Sequence, residues 1–301
     1  MINTGGVWDY KEKNVYFLAT SPSSFKKQEV LDYYDHILTA VNEIHNADDE
    51  QFLLESVERG KKVFIDSGVF NLTMEHARAN NLTMDKVLAL PPNELDGFDK
   101  LFDKYTRIVK EIGDRSWGYI EIDQGGRENK IKTRDRLHKL GFNPIPVYHP
   151  LVDGWDYFDY LAERYDRICL GNVVQAQNET RKRLLATIWE RRRKYPYLWI
   201  HCLGMTPNEH CNAFPLSSCD SSSWISTVRW MDMPTRACLK AWDSVEEKVF
   251  RYDLNDPDKS YKKTVQISAN NCKVDLINWR QSILAVEQVL ETDHRMPIYE
   301  S

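Results

Sequence analysis

Lys62-Val63-Phe64-Ile65-Asp66-Ser67-Gly68-Val69-Phe70 is the stretch on which the reading of the fold turns. Apolar and β-branched residues run without alternation into Asp-Ser-Gly and an aromatic, the pattern of a parallel strand buried on both faces that ends by presenting a carboxylate. Upstream, Val15-Tyr16-Phe17-Leu18-Ala19 has the same character. Residues 27–41 follow with Val30, Leu31, Tyr34, Ile37, Leu38 and Val41 at helical spacing, and a further helix is expected over 47–59. Downstream, a helix-rich insert at 72–112 is broken by Pro91-Pro92 and Gly97. Strand-like runs then end at Asp123, His149, Gly171-Asn172, Leu203-Gly204 and Asp220, with helices expected at 127–140, 154–164 and 179–194. Strands alternating with helices imply parallel pairing with right-handed crossovers. Polar residues at nearly every strand tip favour a (β/α)8 TIM barrel, whose sites form at the carboxyl ends of the strands. Seven strands are legible, with Asp66 on the second and Asp220 on the seventh; the eighth is not. The expected organisation is one barrel domain over 1–301, with a core at 15–235, the insert after strand two and an extension at 236–301. Within that extension 246–270 reads as a polar hairpin or excursion and 273–291 as an amphipathic helix.

Composition narrows the function classes. The 301 residues carry a formal charge of −5, so attraction to polyphosphate is not a property of the whole surface and any nucleic-acid contact must be local. Nine Trp, fifteen Tyr and eleven Phe argue for an ordered core. Six cysteines (169, 202, 211, 219, 238 and 272) are far apart and mostly inside apolar runs, as in a protein of a reducing compartment. The start of the chain has no basic and apolar leader pattern, and no apolar run approaches the roughly 20 residues of a membrane span.

Two carboxylates facing one glycosidic bond can divide its cleavage, one attacking the anomeric carbon and the other moving a proton. Asp66 and Asp220 are the candidates, although Asp-Ser-Gly is also a turn and Asp220 before Ser-Ser-Ser also an N-cap. Asp123 at its tip could accept from an amidine-like edge or cap a loop, and His149 could donate to a carbonyl or be structural. Gly171 and Gly204 allow close backbone approach to a ligand, or simply turn the chain. His201-Cys202 and His210-Cys211 match no standard zinc spacing, and Cys202 should face away from His201 on a strand. The basic run 181–194 is either a solvated outer helix or a phosphate-contacting surface.

Taken together, the strand tips resemble the tRNA-guanine transglycosylase family, barrel enzymes that exchange guanine in a nucleic acid for a 7-deazaguanine. The family's Asp-Ser-Gly-Gly-aromatic-Gln motif resembles Asp66-Ser67-Gly68-Val69-Phe70-Asn71, and its Phe-Asp-Glu-Cys resembles Ile122-Asp123-Gln124-Gly125. Its Ile-Val-Gln-Gly strand is similar to Pro146-Val147-Tyr148-His149, and its Gly-Gly-Leu-Ala-Val to Leu170-Gly171-Asn172-Val173-Val174. Its Leu-Met-Gly-Val-Gly-Thr-Pro resembles Cys202-Leu203-Gly204-Met205-Thr206-Pro207, and its Phe-Asp-Cys resembles Cys219-Asp220-Ser221. The six motifs occur in family order over residues 63–224.

The resemblance implies that Asp220 is the nucleophile on the sugar C1′ and Asp66 the proton donor and acceptor. It implies that Phe70 and Leu203 sandwich the base, that Asp123 reads its N1/N2 edge, and that His149 with the Gly171-Asn172 backbone serves its carbonyl. Asn71 and Gly204 complete the implied base pocket. The family's zinc site is not recognisable, so no metal or other cofactor is expected. Pro234-Thr235-Arg236 follows Asp232 rather than Asp220, but no apolar strand leads into Asp232. A short chain without the zinc site and with Asp-Ser-Ser-Ser-Trp is similar to the phage branch of the family, which acts on DNA. The expectation is therefore a cytoplasmic pentosyltransferase, acting in the host cytoplasm if phage-encoded, with DNA and a 7-deazaguanine base such as 7-cyano-7-deazaguanine as substrates. The same exchange on tRNA, a glycosylase that hydrolyses without exchange, and a noncatalytic nucleobase-binding barrel are the alternatives.

Overall fold

In a computed structural model, which describes residues 1–9, 15–27, 31, 34–192, 194–206 and 216–223, eight strands form one all-parallel sheet. They are β1 Val15–Ala19, β2 His36–Ala40, β3 Lys62–Asp66, β4 Gly118–Tyr119, β5 Val147–Tyr148, β6 Arg167–Leu170, β7 Trp199–Cys202 and β8 Ser218–Ser221. Their order is β4-β3-β2-β1-β8-β7-β6-β5, so β1 lies beside β8 and the sheet curls. Its two end strands meet at a parallel bridge, Ile120 to Ile145, where Ile145 N–H donates to Tyr119 O at 2.8 Å and Glu121 N–H to Ile145 O at 3.0 Å. The buried Glu121 side chain extends this seam by accepting the Val147 N–H at 2.7 Å. The architecture is α/β and TIM-barrel-like.

Period-two alternation divides the strand residues between two apolar clusters. Val15, Phe17, Leu38, Phe64, Val147, Cys169 and Trp199 join Trp117, Ile120 and Ile145 inside the curl. The rings of Phe17, Phe64 and Trp117 lie 4.8–5.2 Å apart there, tilted or edge-on as aromatic quadrupoles prefer. Tyr16, Leu18, Val63, Ile65, Tyr148, Ile168, Leu170 and Ile200 face the helices instead. Each of these side chains, fully withdrawn from water, stabilises the fold by about 1.5–3 kcal/mol. Because the sheet is covered on one face by its own interior and on the other by helices, its strands read as continuous apolar runs.

The helices are α1 Pro22–Lys27, α2 Ala47–Glu58, α3 Val69–Ala79, α4 Met84–Ala89, α5 Phe98–Ile112, α6 Gly126–Lys139, α7 Trp155–Arg164 and α8 Asn178–Arg192. Asn46 caps α2, its side chain accepting the Asp49 N–H at 3.0 Å. In α5, Phe98, Leu101, Phe102, Tyr105, Ile108, Val109 and Ile112 form the buried stripe. Among the described residues no helix is long and apolar enough to cross a membrane.

One expectation is corrected. The spacing over 27–41 suggests one helix, but His36–Ala40 is β2, paired Leu18↔Ile37 to β1 and Ile37↔Val63 to β3. A short run of buried apolar residues fits both the helix and the strand template, and the ladder partners on either side decide. This is the eighth strand that the sequence left unlocated. It moves Asp66 to the third strand, Asp220 to the eighth, and the helix-rich segment at 72–112 to follow β3. The expected extension at 236–301, with its polar and helical portions, lies outside the described residues.

The amino ends of the strands are plugged. Arg167, fully buried, donates to Thr4 Oγ1 at 2.6 Å, Trp117 O at 2.8 Å and Gly5 O at 2.7 Å. Its guanidinium lies 4.6 Å from the Trp8 ring centroid and 4.9 Å from that of Trp117. The carboxyl ends are where polar side chains gather.

Candidate active site at the carboxyl ends of the strands

β3 delivers Asp66, the last residue of its ladder, opposite Ala40 of β2. The next turn needs Gly68, whose φ is 74° and whose added Cβ would stand 2.2 Å from Asn42 Oδ1. Gly68 N–H donates to Asp66 Oδ2 at 3.3 Å. Phe70 follows in the first turn of α3 and is 44% exposed, an aromatic left in water four residues after Asp66.

β8 delivers Asp220, a buried residue whose register partner is Phe17. Its Oδ1 accepts from Gly204 N–H at 3.0 Å and lies 3.1 Å from His201 Nε2. His201 is buried between Phe17 and Phe64, with ring centroids 5.9 Å and 4.9 Å away. Asp66 and Asp220 are three strand positions apart around the curl. Phe70, after β3, and Leu203, after β7, are four apart and so on opposite sides of the opening. Leu203 packs partly buried on the inner cluster.

Asp123 follows β4 and forms a close pair with His149 after β5, Oδ2 to Nε2 at 2.8 Å. The imidazole is fixed from behind by Lys130, which is fully buried. Lys130 has three protons and three acceptors: Val147 O at 3.0 Å, the Asp153 carboxylate, and His149 Nδ1 at 3.4 Å. Nδ1 is therefore the accepting nitrogen, and the ring proton on Nε2 goes to Asp123. Asp153 also accepts the His149 backbone N–H at 2.7 Å, so the loop and the ring are held together. Gly171 is small because it must be: a Cβ there would lie 2.3 Å from His149 Cδ2. Where the sequence suggested a histidine free to donate to a carbonyl, its N–H is engaged by Asp123.

Of the remaining expected pocket residues, Asn71 is partly buried on α3, with its N–H on Gly68 O at 3.2 Å. Asn172 adopts a left-handed backbone, φ 52°, and its Oδ1 is buried without a hydrogen-bond partner. Gly204, φ 70°, is exposed and uses its N–H on Asp220. The structure thus brings Asp66, Asp123, His149, Gly171 and Asp220 to one end of the sheet. Sequence reasoning missed Asn42, hidden with the unrecognised β2, whose Oδ1 is also buried and unpartnered. It missed Lys130 and Asp153, and it weighed His201 only as a metal ligand. Alternation would have found His201, two residues after Trp199 on the inward face of β7.

Of the three aspartates, Asp66 feels the other two. Burial, with the charges of Asp123 and Asp220, pushes Asp66 up to about 7. Burial opposes the Asp123 charge as well, but the hydrogen bond from His149 and the nearby charge of Lys130 outweigh it, and Asp123 lies below the ordinary carboxylate range. Asp123 and Asp220 each receive an imidazole N–H and Asp66 receives none, so the proton that relieves the cluster sits on Asp66. The site can therefore present a carboxylate nucleophile, a carboxylic acid that releases its proton near neutrality, and a fixed acceptor. Among the described residues no group of three or more His, Cys, Asp or Glu is arranged to hold a metal ion, and His210 and Cys211 lie outside them. No protein-family model matches this chain, and no curated protein is significantly similar to it.

Proposed function

We propose that this chain is a guanine transglycosylase, a pentosyltransferase that exchanges guanine in DNA for a 7-deazaguanine on a closed (β/α)8 barrel. The observation that carries the reading is the meeting of Asp66, Asp123 and Asp220 at the carboxyl ends of the strands, where burial and the other two charges push Asp66 up to about 7. Asp220, as carboxylate, attacks C1′ of the target nucleotide; the C1′–N9 bond breaks and its electron pair leaves with the base. Asp66 gives its proton to the departing guanine, a transfer for which a value near 7 is well matched. The deoxyribose is then held as an ester of Asp220. A 7-deazaguanine enters, loses its N9 proton to Asp66, and attacks C1′ so that the Asp220 carboxylate departs. One glycosidic bond replaces another, and no net oxidation or hydrolysis occurs.

Base recognition follows from the fixed pair. Asp123, kept ionised by His149, is an acceptor for the N1–H and N2–H₂ of guanine. Exposed Phe70 and, across the opening, Leu203 are available to stack on the two faces of the ring. The target must leave the duplex to reach the site, at a cost of a few kcal/mol. DNA is preferred over tRNA on the resemblance of Asp220-Ser221-Ser222-Ser223-Trp224 to the DNA-acting branch. The test is incubation of DNA, and separately of tRNA, with labelled guanine, followed by mass spectrometry of the nucleosides. Incorporation into DNA that Asp220→Ala abolishes is the expected result. Incorporation into tRNA alone overturns the choice of polymer, and base release without incorporation makes the protein a glycosylase.

A further inference from the structure

Behind Asp220 runs a hydrogen-bond chain that begins at an indole N–H and ends at a carboxylate, which can only accept. Trp199 Nε1 can only donate, and it lies 2.8 Å from Ser218 Oγ. Ser218 Oγ lies 2.8 Å from His201 Nδ1. Because a carboxylate at Asp220 accepts and never donates, the ring turns an N–H on Nε2 toward it, and the bare Nδ1 of the neutral ring takes the proton of Ser218. That Nε2 is 3.1 Å from Asp220 Oδ1, where Gly204 N–H also donates at 3.0 Å. Oδ1 is thus doubly occupied, whereas Oδ2 accepts no hydrogen bond from the described residues.

Resting on the transglycosylase reading, we infer that His201 is a positioning residue that fixes which oxygen of Asp220 reacts: Oδ1 is held and Oδ2 attacks C1′. The ring is suited to this because it is anchored at both nitrogens and walled by Phe17 and Phe64, so that it cannot turn away. In the first step the Oδ2–C1′ bond forms as C1′–N9 breaks. In the second, Oδ2–C1′ breaks and its electron pair returns to a carboxylate that the His201 and Gly204 N–H groups receive, which favours departure of the ester. The base, by contrast, is gripped by Asp123, which His149 holds in place, on the far side of the site, so loss of His201 should leave base binding intact.

The test compares the wild type with His201→Phe, His201→Gln and Ser218→Ala in exchange of labelled guanine into DNA. Phe keeps a ring between Phe17 and Phe64 without the N–H; Gln restores a donor toward Oδ1; Ala at 218 leaves the imidazole but frees its orientation. The expected result is a kcat lowered about 10–100-fold in the Phe variant, in line with other orienting partners, with KM for the base unchanged. Gln recovers most of the rate, and Ser218→Ala falls between. If the Phe variant does not fold, the order wild type, Gln, Ser218→Ala in kcat alone still decides. A Phe variant with wild-type kcat, a loss confined to KM, or Gln no better than Phe overturns the positioning role while leaving the activity in place. A wild type that performs no exchange overturns the activity itself, and this inference with it.

Discussion

Replacing Asp66 by Asn is expected to stop exchange and, at the same time, to stabilise the fold above neutral pH. Asn matches the protonated carboxyl in size and cannot ionise. In the native chain burial, with the charges of Asp123 and Asp220, lifts Asp66 from 3.8 to about 7. The unfolded chain therefore gives up this proton near pH 3.8, and the folded chain keeps it until about pH 7. Between those values the folded state binds more protons, so stability falls as pH rises, by about 1.4 kcal/mol per unit. Below the unfolded value both states are protonated and the group contributes nothing; above the folded value the whole cost is present. Roughly three units make about 4 kcal/mol, a ceiling because water reaching the partly exposed carboxyl screens some of it. The Asn variant lacks this slope. Urea denaturation of both proteins should show an advantage for Asn of about 1–2 kcal/mol near pH 5, growing to about 2–4 kcal/mol near pH 8. A gap that does not change with pH, or an Asn variant less stable than the wild type near pH 8, refutes the buried proton.

The same group sets the pH dependence of exchange: the rate should fall about tenfold per unit above the Asp66 value of about 7, and a profile flat to about pH 9 would take the acid role from it. Gly171→Ala drives a Cβ into the space of the His149 ring, 2.3 Å from Cδ2, so KM for the base should rise about tenfold or more with a loss of about 1–3 kcal/mol in denaturation. Lys130→Met strands the buried Asp153 carboxylate, and a destabilisation of about 3–5 kcal/mol is expected by the same measurement. Gln124→Ala removes the amide that donates to Val87 O at 2.7 Å and Leu90 O at 2.9 Å, which tie α4 to the end of β4. Faster proteolysis of the 72–112 segment, with β-sheet signals unchanged, is the outcome to look for.

Much of the fold was legible because a sheet buried on both faces needs unbroken apolar runs, and β1, β3, β6 and β7 have them. β2 was not, since Ile37-Leu38 fits a helical stripe that begins at Val30, and the pairing that overrides it is invisible locally. β4 and β5 are legible as strands but short as ladders, with Pro144 and Pro146 removing donors beside β5. The aspartates of the site stood out because a carboxylate directly after an apolar run is costly unless it has work to do. Their supports did not. Lys130 sits in α6, one of the most polar helices of the chain, and nothing in its neighbours marks it as the residue that points inward. His201 was masked by Cys202, which drew attention to metal spacing and faces the opposite side of the sheet.

In the proposed exchange Asp220 becomes covalently joined to the sugar of a DNA guanine. Incubating the protein with DNA without added base, quenching in denaturant and mapping peptides by mass spectrometry captures that bond. A deoxyribosyl ester on the peptide containing Asp220, absent in Asp220→Ala and discharged when a 7-deazaguanine is added, is the predicted result. Guanine release from DNA with no adduct at any time, or an adduct on another residue, would contradict it.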